Sequence, residues 1–401
     1  MDASVFDTDV SYKQIISIPS PPPLALYVHF PWCIRKCPYC DFNSHEWKSK
    51  DLPEDIYLDG LQTDLKCALP LICGRQVQTV FIGGGTPSLL SEKGLDRLLS
   101  DIRILLPLDV NAEITLEANP CTFESSKFRQ FRACGVNRLS IGIQSFNERH
   151  LKAIGRIHDA IQAVSAVDIA ANTFDNFNLD LMFALPNQTL DECKADIKIA
   201  LSFMPPHLSL YHLTLEPNTL FAKFPPAVPD DDISADMQEW IHEYTANAGY
   251  HRYEVSSYAK SYRRLCKHNL NYWNFGDYLG IGAGAHTKLS FSNRILRQVR
   301  HRNPSTFIKH AHSNIGTVKE EWNVSIRDLP FEFMLNALRL VEGFPVNIFT
   351  DRTGLPLSTL SRVLKDAEGR GLIIQNFKKI IPTRLGQRFL NNLQQLFLCD
   401  N

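Results

Sequence analysis

No apolar run in this 401-residue chain approaches the roughly 20 residues that a membrane-spanning helix requires. Excess charge is missing too. Its 42 Lys and Arg against 43 Asp and Glu leave a net −1, so no overall field recruits nucleic acid or anionic lipid. Met1 to Val10 hold neither a basic start nor an apolar stretch, which argues against a secretory signal. Paired cysteine spacing is absent as well. Ten cysteines in so long a chain do not read as a secreted disulfide framework. A reducing cytoplasm, where thiols stay free for metal, is the expected setting. Cys67, Cys73, Cys121, Cys134, Cys193, Cys266 and Cys399 are scattered and read mostly as small buried hydrophobes.

What is present is strand–helix alternation. The 44 % hydrophobic content suits a folded protein of two or three domains. Residues 1–23 form a polar N-terminal segment ending in Pro21-Pro22-Pro23. Short β-branched runs at 24–30, 77–82, 113–118, 138–143, 177–183 and 208–215 predict strands. Segments with apolar residues three and four apart lie between them and predict helices. Such alternation implies an α/β architecture of parallel strands with right-handed crossovers. The alternating core is expected over 24–260, followed by an irregular linker over 261–328. Residues 329–401 read as a mostly helical, winged-helix-like domain. Helices are expected near 331–340 and 357–366, and a hairpin over 372–381. Lys378 and Lys379 are too few for a phosphate-tracking face, so no nucleic acid is expected and a packing role is favoured.

In a parallel αβ barrel, function gathers at the C-terminal ends of the strands. Here the chemistry-bearing residues fall there together. The first strand leads into Cys33, Cys37 and Cys40, spaced C-x3-C-x2-C. Three thiolates on one loop can hold three irons of a [4Fe–4S] cube and leave the fourth iron open to a chelating ligand. Zinc is the rival, with His29 and His45 close in sequence, but zinc rarely uses this spacing. The second strand leads into Gly83-Gly84-Gly85-Thr86-Pro87-Ser88, where missing side chains let backbone approach a ligand closely. Glu117 closes the third strand, Gln144 follows the fourth, and Asp180 lies in the fifth.

The cysteine loop and triple-glycine turn resemble the radical S-adenosylmethionine (SAM) superfamily. The resemblance implies an open partial (β/α)6 barrel, since six units are too few for an eight-fold one. It also implies a [4Fe–4S] cluster that passes an electron to the sulfonium of SAM, giving methionine and a 5′-deoxyadenosyl radical. The segments 113–120, 140–146, 155–158 and 178–186 are similar to the coproporphyrinogen oxidase-like branch. By that likeness Tyr27, Tyr39, Gly84, Gly85, Thr86, Glu117, Gln144, Arg156, Asp180 and Thr214 are expected to bind SAM. Carboxylates would take the ammonium and ribose hydroxyls, and Arg156 the carboxylate. A surface ion pair is the plain alternative for Arg156.

Two relatives within that branch compete. The oxygen-independent coproporphyrinogen III dehydrogenase carries a further cysteine two places beyond the third, where Phe42 stands here. It also has a longer N-terminal extension, whereas only about two dozen residues precede the first strand here. Residues 268–273, His-Asn-Leu-Asn-Tyr-Trp, match the H-N-x-x-Y-W motif of HemW-type heme chaperones. The resemblance to that family implies heme as cargo, with His268 as iron ligand and Asn269, Tyr272 and Trp273 as pocket walls. Cys266 is a softer alternative ligand. His158, His212 and His286 are less favoured, and Arg263 and Arg264 are candidates for the propionates. Acceptor hemoproteins of the respiratory chain, transient membrane contact through them, and an electron donor such as a flavodoxin or ferredoxin are implied partners.

Overall fold

The computed structural model describes residues 16–49, 51–313 and 315–398. Most of the expected N-terminal segment, and Cys399, lie outside them. Six strands follow one another as expected: β1 (Leu24–Phe30), β2 (Val77–Gly84), β3 (Leu108–Ala118), β4 (Arg138–Gln144), β5 (Phe177–Phe183) and β6 (His207–His212). Each pairs in parallel with the next. The intervening helices are α1 (Glu54–Ile72), α2 (Glu92–Leu105), α3 (Phe128–Cys134), α4 (Ala160–Ala171) and α5 (Leu190–Ser202). Capping boxes start two of them. The Asp159 carboxylate accepts from the Gln162 amide, and the Thr189 hydroxyl from that of Glu192. Each cap satisfies donors the first helical turn leaves open.

β1 is buried on both faces, as a parallel strand inside such a layer must be. Its even positions Leu24, Leu26, Val28 and Phe30 join Tyr57, Leu58, Leu61 and Leu65 of α1 in the main core. Each such side chain contributes about 1.5–3 kcal/mol on burial.

The stretch 261–328, expected as a linker, is built into the sheet. It carries α7 (Lys267–Trp273), after α6 (Asp231–Asn247), and the strands β7 (Asp277–Ile281), β8 (His286–Phe291), β9 (Arg294–Arg300) and β10 (Val318–Asn323). β7 pairs in parallel with β1, adding a seventh parallel strand, and β8 to β10 continue antiparallel. The sheet runs β10-β9-β8-β7-β1-β2-β3-β4-β5-β6, then the short strands Ser257–Ala259 and His251–Arg252. Among the described residues it does not close on itself. Asp277 anchors the added strands: it is fully buried between Arg75 (2.8 Å) and Lys288 (3.1 Å).

The C-terminal region has its own core. In it, α8 (Leu329–Ala337), α9 (Ser361–Gly369) and a three-stranded sheet pack together. Phe333 meets Phe344 and Phe349 edge-on, with ring centroids 5.2 Å apart in both pairs. Among the described residues, no helix is long and apolar enough to cross a membrane.

Candidate functional site

The C-terminal ends of the barrel strands surround a cavity of about 390 Å³. Its rim is the cysteine loop. Trp32–Cys33 pairs with His45–Glu46, which closes the loop at its base. Lys36 Nζ donates to the carbonyls of Phe42 (3.0 Å) and Ser44 (3.1 Å), bracing it from within. The Asn43 amide donates to the Ala283 and Arg302 carbonyls, both at 2.9 Å, and ties the loop to the added strands. Gly155 has φ +73°, and a Cβ there would lie 2.7 Å from Pro38 Cδ.

Cys33, Cys37 and Cys40 all line this cavity, together with Tyr39. Burial pushes the Cys33 thiol up to about 11, only partly offset by the Ser44 hydroxyl. It also raises Cys40. Such thiols lose their protons to a metal rather than to water. Among the described residues, no three His, Cys, Asp or Glu side chains close on a single ion. Three sulfurs on one rim are the donor set that a cube with one open iron requires.

The glycine turn faces the loop. Gly85 donates to the Phe30 carbonyl (2.6 Å) and Thr86 to that of Trp32 (2.7 Å). A Cβ on Gly85 would lie 2.3 Å from the Trp32 carbonyl oxygen, so the crossing admits only glycine. Gly84, at φ +112°, turns its amide to Glu117 Oε2 at 3.0 Å.

Glu117, Asp180 and Arg156 are among the charged residues that line the cavity. Burial lifts the Glu117 carboxyl to about 7; the Gly84 amide pulls it down, and Asp180 pushes it up. Burial likewise raises Asp180, against donation from Ser140 Oγ (2.8 Å) and Asn178 Nδ2 (2.9 Å). Neither carboxylate forms an ion pair among the described residues, although Arg138 pulls Asp180 down; both are suited to a ligand's ammonium or hydroxyls. Arg156 makes no ion pair among the described residues. Its Nη2 donates to Asn119 Oδ1 (2.6 Å) and the Gly142 carbonyl (2.8 Å), and Nη1 lies 3.7 Å from Cys37 Sγ. Its Nε is buried without a partner. The expected alternative of a surface ion pair is therefore wrong: this cation lines the cavity beside the cysteines.

Gln144, at φ +66°, and Thr214 also line the cavity. Tyr27 does not. Its hydroxyl donates to His29 Nδ1 (3.0 Å), whose Nε2 donates to the Asn43 carbonyl (3.0 Å). It therefore supports the loop from behind. Asn119 escaped the sequence reading although it lies two residues past Glu117. Its Nδ2 donates to Thr86 Oγ1 (3.1 Å), joining the glycine turn to Arg156.

The 268–273 segment lies elsewhere, on α7, and none of His268, Asn269, Tyr272 or Trp273 lines this cavity. His268 is 1 % exposed. Its Nδ1 is 2.8 Å from Thr79 Oγ1, its Nε2 3.1 Å from the Tyr272 hydroxyl, and its ring stacks on Phe81. Both His268 nitrogens thus have hydroxyl neighbours, Thr79 on one side and Tyr272 on the other. Cys266 is buried and donates to Glu113 Oε1 at 3.7 Å, and His158 donates to the Ile143 carbonyl. Arg339 covers the Trp273 ring at 4.3 Å. Of the expected histidines, His212 alone lines the cavity.

Residues 27–200 match the radical SAM superfamily, and residues 324–389 the HemN C-terminal domain. The heme chaperone HemW of Haemophilus influenzae is 46 % identical over 389 residues, covering 96 % of this chain and 100 % of that protein. The heme chaperone HemW of Escherichia coli is 46 % identical over 381 residues, covering 94 % and 99 %. A mitochondrial radical S-adenosyl methionine domain-containing protein 1 of Danio rerio is 33 % identical, covering 80 % of this chain and 73 % of its own. The structure of the radical SAM coproporphyrinogen III oxidase HemN of Escherichia coli matches with a TM-score of 0.80, covering 94 % and 90 % of the two chains. At 22 % identity that match establishes the shared fold.

Proposed function

The chain belongs to the HemW family of the radical SAM superfamily, and from that footing we propose that it binds heme, a [4Fe–4S] cluster and SAM and delivers the heme to acceptor hemoproteins. The observation that carries this reading is the 46 % identity to heme chaperones along almost the whole chain. Phe42 supports it: 56 % exposed at the cavity rim, it stands where the decarboxylating relative has a cysteine.

Cys33, Cys37 and Cys40 would hold the cluster. When bound, it would supply a low-potential electron beside an open iron. Glu117 and Asp180 would accept from the ammonium and ribose hydroxyls of SAM. Arg156 would hold the methionine carboxylate, at the Asn119 end of the cavity. Gly84, Gly85 and Thr86 let the ligand approach backbone, and Tyr39, Gln144 and Thr214 complete the walls. Tyr27 holds His29, and through it Asn43 and the loop. The setting we propose is the cytoplasm, with a flavodoxin or ferredoxin as electron donor and respiratory hemoproteins as acceptors.

The test is heme transfer from the reconstituted chain to an apo-hemoprotein, followed by the acceptor's Soret band, with and without SAM and reductant. Transfer is expected. No transfer, together with conversion of coproporphyrinogen III to protoporphyrinogen IX, would replace the chaperone reading with the decarboxylase.

A further inference from the structure

Asp180 lines the cluster cavity, and the side chains that hold it are buried. Asn178 precedes it by two residues on β5, so both point to the same face of the strand. Asn178 Nδ2 donates to Asp180 Oδ1 (2.9 Å) and to Ser140 Oγ (2.8 Å), and Ser140 Oγ donates on to Asp180 Oδ2 (2.8 Å). Turned over, the amide would set its oxygen against the carboxylate. The oxygen and nitrogen of an amide are nearly equal in shape, so packing alone does not choose between the two orientations.

Two donors settle it. Ser209 Oγ donates to Asn178 Oδ1 (3.0 Å), and His207 Nδ1 lies 2.6 Å from the same oxygen. β6 brings both: His207 is the register partner of Asn178, and Ser209 of Asp180. Burial, then the charge of Arg138, holds His207 well below the ordinary imidazole value, so the fully buried ring is neutral. A neutral imidazole carries one N–H. An amide oxygen only accepts, so that proton is on Nδ1 and Nε2 must accept. The Tyr253 hydroxyl, 2.9 Å away, donates to Nε2, and its oxygen in turn accepts from the Cys266 amide (3.3 Å). Cys266 is the N-cap of α7. Every proton in this row therefore points one way, from α7 towards Asp180.

We propose that His207 is a positioning residue for the SAM site: by fixing the Asn178 amide it keeps the Asn178 and Ser140 donors on Asp180 and aims that carboxylate at the ligand. The proposal rests on the SAM reading above. His207 touches no ligand itself and acts through its tautomer. Tyr253 selects the Nδ1–H form, that form selects the amide orientation, and the amide holds the carboxylate. The partner of one ring nitrogen setting the role of the other is the general rule for functional imidazoles. The far anchor of the row is the first turn of α7, so the helix that carries residues 268–273 braces the SAM site.

The experiment is isothermal titration of SAM into the reconstituted full-length chain, with thermal melting of each variant and NMR of the histidine ring nitrogens. His207→Asn keeps a side-chain N–H near the place of Nδ1, whereas His207→Gln keeps a polar group near the place of Nε2. Each loses one hydrogen bond, so their melting points should fall together. A histidine with a merely structural role would then give two equal SAM affinities. The proposal expects His207→Asn to bind SAM within about threefold of wild type and His207→Gln about tenfold more weakly. Tyr253→Phe should move the His207 ring proton from Nδ1 to Nε2 and weaken SAM binding as well. Should the His207 variants fold poorly, the wild-type NMR spectrum still decides: a ring proton on Nε2 overturns the proposal. Equal SAM affinity in the two folded His207 variants overturns it too, while the SAM reading stands. A wild-type chain that binds no SAM overturns both.

Discussion

The Nδ1 of His268 lies 2.8 Å from the Thr79 hydroxyl, inside the barrel and away from solvent. The Tyr272 hydroxyl occupies the other nitrogen. A ring held on both sides this way joins α7 to β2 and acts as structure. His268→Ala leaves the buried Thr79 hydroxyl and the half-buried Tyr272 hydroxyl without their partner, which costs about 1–3 kcal/mol. Urea unfolding should show that loss, and hemin titration should be unchanged. A variant of wild-type stability that no longer binds hemin contradicts this placement.

The same ring shows where sequence reading stopped. Strand–helix alternation and the three cysteines are local patterns, so the six strands and the cluster loop were legible. The partners of His268 were not, because Thr79 is 189 residues away. Likewise 277–300 looked irregular: its glycines and short apolar runs become strands only when β7 pairs with β1. For Arg156 the sequence left a surface ion pair as the alternative, because the fold alone brings Cys37, Asn119 and Gly142 around it.

Gly85→Ala tests the crossing of the glycine turn over β1. Its Cβ would meet the Trp32 carbonyl at 2.3 Å, and backbone on both sides must shift. The variant should lose about 1–3 kcal/mol and incorporate less iron. Unchanged melting would mean the two segments are not packed as described.

Glu117 gives a pH signature. Its folded value, about 7, lies above the ordinary carboxylate value. Its stability contribution is therefore full below the unfolded value and is lost as pH rises through 7. Glu117→Gln removes that loss. Without ligand, the variant should gain on wild type by about 1–2 kcal/mol between pH 5 and pH 8. A gap between the two melting curves that does not change with pH contradicts the buried, cation-free carboxylate. SAM binding should weaken in the same variant.

Arg156→Lys keeps the charge and loses the fork that reaches Asn119 and Gly142 together. SAM should bind about 10–100-fold more weakly, with cluster content near wild type. Isothermal titration on the reconstituted chain gives the first quantity and iron analysis the second. Equal SAM affinity in both proteins would remove Arg156 from the ligand set.

The central claim is that Cys33, Cys37 and Cys40 carry a cluster with one iron open to SAM. Electron paramagnetic resonance of the reduced, anaerobically reconstituted chain tests it most directly, alongside iron and acid-labile sulfide analysis. The account predicts about four irons and four sulfides per chain, a spectrum that changes on adding SAM, and loss of both in Cys37→Ser. Zinc in place of sulfide-bound iron, or a spectrum indifferent to SAM, would contradict it.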